Sequence, residues 1–191
     1  MLVTLSFFNR PTLEVLENLM GMVLVHKSKE GLFSGSIVEA EAYRGEDDPA
    51  SFAFRGRTKR SEMLYGPPGR AFIYVTYGIH HMLNIITEKE GFPAGVLIRA
   101  VEPREGIALM MERRKTNDLL NICSGPAKLC QAFRLDLSLN GAMLFSSRSP
   151  LYLKEGDRPK KLIWKPRIGI RKGKDKLWRS CVKDSPFISY R

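Results

Sequence analysis

Residues 32–43 constrain the fold more than any other stretch of this chain. Val38, Ala40 and Ala42 alternate there with Glu39, Glu41 and Tyr43, the period-two pattern of a strand whose faces meet different surroundings. Positions i and i+2 of a strand point the same way with Cα atoms about 6.5 Å apart, so two carboxylates and a phenol share one face. Carboxylates that close repel unless solvated or paired. One reading is an exposed polar sheet face with cross-strand Lys or Arg partners. The other is a carboxylate pair of the kind that cleaves a glycosidic bond, one acid protonating the leaving group while its neighbour activates water or attacks the sugar.

The rest of the chain supplies more strands and a few helices. Leu13, Leu16, Leu19 and Met20 fall at helical spacing after Pro11 and stop at Gly21, which predicts a first amphipathic helix. Extended segments are predicted at Met22–His26, Ala71–Tyr77, Met82–Thr87 and Gly95–Val101. Glu105–Arg114 reads as a second helix, and a third opens at Ser124-Gly-Pro-Ala-Lys128, with Ser124 as cap and Pro126 in the first turn. Its start, carrying Lys128, suits a phosphate. Residues 44–68 form a long polar loop. The expected fold class is α/β (α+β): one compact domain over residues 1–191, with a curved mixed or antiparallel β-sheet flanked by helices.

Charge is unevenly distributed. The 191 residues carry 31 basic and 20 acidic side chains, yet residues 1–100 hold 11 of each, so the whole excess lies in the second half. Between Lys154 and Lys183 there are 12 basic and 3 acidic residues interleaved with Trp164 and Trp178, which suits a phosphate-lined partner or a solvated face. Cys123, Cys130 and Cys181 are odd in number and lack a CxxC pair, which predicts core packing in a reducing, cytoplasmic compartment. No apolar run reaches the length of a membrane span, and no basic segment precedes the short apolar N-terminus, so neither membrane nor signal peptide is expected.

Few residues are left to carry chemistry. His80 and His81 are adjacent and point apart in a strand, no Cys/His cluster has zinc spacing, and no Walker or dinucleotide glycine loop occurs; no metal or other cofactor is expected. Asn84 and Arg99 interrupt apolar strands, where a buried polar group must be paired or useful. Arg99 is a candidate partner for Glu39 or Glu41. Tyr74 and Tyr77, three apart, face opposite sides of their strand, and Tyr77 before Gly78 predicts a protruding aromatic that could wedge between stacked bases.

A set of motifs resembles one family in order along nearly the whole chain. They are Ile37-Val-Glu-Ala-Glu-Ala-Tyr43, Asp48-Pro-Ala-Ser51, Arg55-Gly-Arg-Thr-Lys-Arg60, Ile73-Tyr-Val-Thr-Tyr-Gly78, Leu83-Asn84, Val96–Pro103, Ser124–Cys130 and Arg167-Ile-Gly-Ile170. They resemble the alkyladenine (3-methyladenine, MPG-type) DNA glycosylases. The resemblance implies a small, metal-free, single-domain enzyme of base excision repair that hydrolytically removes alkylated or deaminated purines from duplex DNA, acting as a monomer. It implies that Glu41 is the general base for the water attacking C1′, with Arg99 near that water and the DNA backbone. It likewise implies that Tyr43 and Tyr74 sandwich the flipped purine, that Asn84 crowds the N2 amino group of guanine, and that Tyr77 fills the vacated stack. Arg57 and Lys128 fall in matching DNA-binding motifs. The chain departs at Phe52, where the family usually has histidine after Ala-Ser: the ring of the pocket wall is kept and its nitrogens are lost. Two other readings stay open at this point: a module that grips damaged DNA without hydrolysis, because Phe52 disables the pocket, and a basic RNA-binding module.

Overall fold

The computed structural model describes residues 1–189. Its spine is β2 (Gly31–Arg44), the longest strand, paired along one edge with β5 (Ala94–Glu105). The other edge of β2 is shared: residues 31–36 pair with β1 (Val23–Ser28) and residues 39–41 with β8 (Arg179–Val182). The hairpin of β3 (Ala71–Thr76) and β4 (His80–Ile86) continues the sheet beyond β5, β6 (Leu151–Lys154) continues it beyond β1, and β7 (Leu162–Lys165) pairs with β8. All of these pairings are antiparallel, so of the mixed and antiparallel sheets expected, the second forms. The sheet curls into a half-barrel within a single compact α+β domain.

Alternation sorts the sheet into two faces. Ala40, Ala42, Ile73, Leu83, Ile85 and Ile98 join the main core, which is closed by α2 (Thr12–Leu19), α3 (Ile107–Arg114) and α4 (Pro126–Phe133). Glu39, Glu41, Tyr43, Tyr74, Asn84 and Arg99 come from the intervening positions and face the other way. That second face is covered by the 44–68 segment and the 166–178 loops, so both carboxylates are fully buried: the face is not exposed, although the cross-strand arginine partner expected for it is present in Arg99. The expected alternation holds from Ala40 to Tyr43 but not at Val38. Register shifts lie on both sides of Glu39, and this bulge re-aims the chain. Ile37 and Ala40, three apart, therefore both reach the core.

Three local expectations change. A four-residue helix, α1 (Leu5–Phe8), precedes the first predicted one, and it is too short to show a period in sequence. The cap of α4 is Gly125, not Ser124: the Ser124 backbone bridges to Ala100, and Gly125 sits at φ 153°, a conformation open to glycine. The 44–68 segment contains two short 3-10 turns, Phe52–Arg55 and Glu62–Tyr65. All three cysteines are buried, as core packing requires.

Two loops on the second face are locked together by Asp48 and Arg167, whose side chains are both fully buried. Arg167 donates from Nη1 to Asp48 Oδ2 at 2.6 Å and from Nη2 to Asp48 Oδ1 at 2.7 Å, and Nη1 also reaches the carbonyl of Ala42 at 2.9 Å. Bidentate geometry and extra hydrogen bonds are what make a desolvated pair tolerable. Replacing Asp48→Asn keeps the shape but strands a buried guanidinium; the expected loss is about 3–5 kcal/mol in urea unfolding. Gly21 supplies a second test. Its φ is +83°, and an added Cβ would lie 2.1 Å from the backbone oxygen of Asp157. Gly21→Ala is expected to cost about 1–3 kcal/mol by the same measurement.

Candidate active site

The residues of the second face surround a cavity of about 370 Å³, within the range of small-ligand sites. Tyr43, Phe52, Tyr74, Tyr77, Asn84 and Arg99 all line it, so the sheet, the turn after β3 and the 44–68 loop bring together six of the nine residues to which the resemblance gives a place in the site. Phe52 and Tyr74 meet edge to face with centroids 4.8 Å apart. Arg60 lies over the Phe52 ring at 4.2 Å and within 5.9 Å of Tyr74. Arg167 lies over the Tyr43 ring at 4.7 Å, which fixes the plane of that wall.

Beneath this cavity lies a closed charge cluster. The register pairs Glu39 with Ala100, Ala40 with Ile98 and Glu41 with Leu97, so Arg99 sits at the bulge, next to the partner of Glu39 and one diagonal step from Glu41. Arg99 Nε donates to Glu39 Oε1 at 2.9 Å and Nη1 approaches Glu41 Oε1 at 3.3 Å. Arg179 Nη1 donates to Glu39 Oε1 at 3.1 Å, so two carboxylates face two guanidiniums. Glu41 Oε1 also accepts the Ile168 N–H at 2.7 Å, and Oε2 accepts the Tyr43 hydroxyl at 2.8 Å. Glu41 does not itself line the cavity: Tyr43, Arg99 and Ile168 stand between.

Burial sets the titration of the cluster. It raises the Glu41 carboxyl above its ordinary value, against the opposing pull of Arg99, the Ile168 N–H and Tyr43. Burial alone would lower Arg99, but Glu41 and Glu39 outweigh it and hold the guanidinium charged. Burial, with Glu41 beside it, pushes the Tyr43 phenol well up. Tyr74 is pushed up to about 12, chiefly by burial. Both phenols are therefore neutral at working pH. The Asn84 amide lies within electrostatic reach of the Tyr74 oxygen but lacks the geometry of a hydrogen bond, and its buried Nδ2 completes none among the described residues. An unspent donor in a cavity wall is a donor available to a ligand.

Tyr77 stands at the lip, 90% exposed, in a turn where its own φ is +50° and that of Gly78 is +74°; because β3 ends at Thr76, it does not face the side opposite Tyr74 as strand spacing predicts, and both line the same cavity. A left-handed non-glycine residue is uncommon and marks a built feature. The other two residues lie outside the cavity. Arg57 pairs with Glu62 at the surface and stacks over Tyr65, and Lys128 Nζ donates to Asn121 Oδ1. Sequence reasoning missed the site contributions of Arg60, Asp48, Arg167 and Ile168. Their motifs were visible, but each works through a contact that no local spacing encodes. Among the described residues no group of His, Cys, Asp and Glu could hold a metal ion.

Comparison with known proteins agrees with this geometry. The family model described as methylpurine-DNA glycosylase (MPG) matches residues 6–186. A protein of Prosthecochloris aestuarii is 46% identical over 187 residues, spanning 96% of this chain and 89% of its own length. One from Methanocella arvoryzae is 45% identical over 190 residues, spanning 97% and 94%, and one from Desulfitobacterium hafniense is 40% identical over 199 residues, spanning 97% of each. All three carry the name "Putative 3-methyladenine DNA glycosylase". A matched segment that contains the cavity, the charge cluster and the protruding tyrosine places the chain in the methylpurine-DNA glycosylase family, whose partner is DNA.

Proposed function

We propose that this chain is a monofunctional glycosylase that acts as a monomer on duplex DNA. It hydrolyses the N-glycosidic bond of 3-methyladenine and of related purines, of the 7-methylguanine and hypoxanthine type. The observation that carries the reading is the Glu41–Arg99–Tyr43 cluster directly beneath an aromatic cavity with an exposed tyrosine at its lip. Flipping a nucleotide costs a few kcal/mol, least where pairing is already weak, and Tyr77 fills the space the base leaves. The purine enters between Tyr43 and Tyr74. Alkylation at N3 or N7 places positive charge on it, which strengthens stacking on electron-rich rings and improves the leaving group. The Asn84 amide crowds any substituent at purine C2.

Glu41 then deprotonates the water that attacks C1′, and its charge stabilises the oxocarbenium-like transition state. Arg99 keeps that carboxylate ionised and faces the backbone. In the free protein Glu41 is fully buried, held by Tyr43, Arg99 and the Ile168 N–H, so the reaction requires that water gain access to it in the DNA complex. Among the described residues the lining of the cavity includes no lysine, which favours hydrolysis over Schiff-base chemistry.

Glu41→Gln is expected to lower single-turnover base release from methylated DNA by about 10²–10⁴-fold while lesion binding persists; ordinary turnover in this variant would refute the assignment. A base must be deprotonated to act, and burial raises Glu41. The rate should therefore fall, as pH drops, at a midpoint above the ordinary glutamate range. Phe52→His restores ring nitrogens to the wall. It should raise release of neutral hypoxanthine relative to cationic 7-methylguanine, and an unchanged ratio would show that this position does not set lesion range.

A further inference from the structure

Arg99 is held at three points, and the third comes from the end of the chain. Its Nε donates to Glu39 and its Nη1 faces Glu41, while Nη2 donates to Ser189 Oγ at 3.2 Å. The same hydroxyl donates onward to Glu39 Oε1 at 2.8 Å, and the Ser189 backbone N–H donates to Glu39 Oε2 at 2.5 Å. Ser189 thus both accepts from the arginine and donates to its carboxylate anchor, 150 residues away in sequence. Glu39 Oε1 collects three donors, from Arg99, Arg179 and Ser189.

A guanidinium bound only through Nε and Nη1 can still tilt about the line joining those contacts. A partner on Nη2 removes that freedom, because the group is planar and its donors are fixed in a fork. Few other groups would serve in that place. A carboxylate would add a third negative charge to a cluster of two against two, and an apolar side chain would leave Nη2 buried and unpaired. A hydroxyl adds no charge and can accept and donate at once.

We propose that Ser189 is a positioning residue for the glycosylase reaction: the C-terminal segment closes over Glu39 and, through the Ser189 hydroxyl, fixes the orientation in which Arg99 faces Glu41. The inference rests on the function proposed above. Ser189 does not touch the cavity; it acts through Arg99, which lines it. The segment is brought in just after β8, where Ser185 N–H donates to the carbonyl of Val182 and Phe187 N–H to Ser185 Oγ.

The distinguishing readout is the pH profile. Glu41 is faced by Arg99 of β5, by Glu39 and Tyr43 of its own strand, by Tyr74 of β3, and by Arg167 and the Ile168 N–H of the 166–170 turn, with Arg179 of β8 opposite it in register. Of these, Arg99 most strongly favours the charged carboxylate. If Arg99 loosens, Glu41 holds its proton to higher pH, so the acid limb of the rate must move upward.

The experiment is single-turnover release of 3-methyladenine across pH for the parent, S189A and S189T, each with a melting temperature. S189A is expected to move the acid limb up by about half a pH unit or more, with S189T returning it toward the parent. An S189A profile that keeps its midpoint, including one that merely falls in proportion at every pH along with a lower melting temperature, would overturn the positioning role. Release absent from the parent itself would overturn the glycosylase reading and take this inference down with it, an outcome separate from an active parent whose profile ignores Ser189.

Discussion

Every other feature of the second sheet face follows from burying two carboxylates and two guanidiniums in one place. Taking a single ion out of water costs several kcal/mol, and losing one partner of a buried pair costs about 3–5 kcal/mol. Glu39 and Glu41 are therefore tolerable only because β5 brings Arg99 across from them and β8 brings Arg179. That requirement explains the divided edge of β2. If β1 ran along the whole strand, Arg179 could not reach Glu39; instead β1 stops opposite Ser36 and β8 takes over at Glu39. The bulge at the handover turns Ile37 and Ala40 to the same core, and the carboxylates emerge on the face opposite the helices.

The two carboxylates differ through their partners rather than their burial. Glu39 is enclosed by Arg99, Arg179 and both donors of Ser189, and such a carboxylate is saturated. Glu41 accepts from Ile168 and Tyr43 and has one arginine nitrogen at 3.3 Å. It is less satisfied, its carboxyl is raised by burial, and it stands next to the cavity. Two identical side chains two residues apart on one strand thus differ in how completely their oxygens are hydrogen-bonded.

Much of this was readable in the sequence, for a physical reason. Period-two alternation marks which side chains share a face, so Glu39, Glu41 and Tyr43 group within one strand, Arg99 stands out as a polar break in an apolar strand, and Tyr74 and Asn84 join them through the family resemblance. Helices α2, α3 and α4 announced themselves through apolar spacing and Pro or Gly punctuation. Short or non-local features did not. Four residues of α1 cannot display a helical period, and the Ser124 backbone was taken by a bridge to Ala100 that no cap rule anticipates. The Asp48–Arg167 lock joins residues 119 apart and the Ser189–Glu39 contact joins residues 150 apart. Arg60 over Phe52 depends on how the 44–68 loop folds back. An arginine in a basic loop carries no mark that separates a stacked side chain from a solvated one.

The uneven charge of the chain also divides by function once the fold is known. Arg167 and Arg179 belong by position to the basic half, yet both are buried and neutralised by Asp48 and Glu39. The excess that remains outside, including Lys160, Lys161, Arg171, Lys172 and Lys174, lies exposed in loops of that half. Exposed charges are screened over about 10 Å at 0.1 M salt, whereas buried pairs are screened far less. Attraction to the phosphates of DNA therefore lies in a layer that salt can weaken. The charge pattern around Glu41 lies in a layer that salt barely reaches. Long-range capture and local chemistry are thus carried by different basic residues of the same segment, separated by burial rather than by sequence.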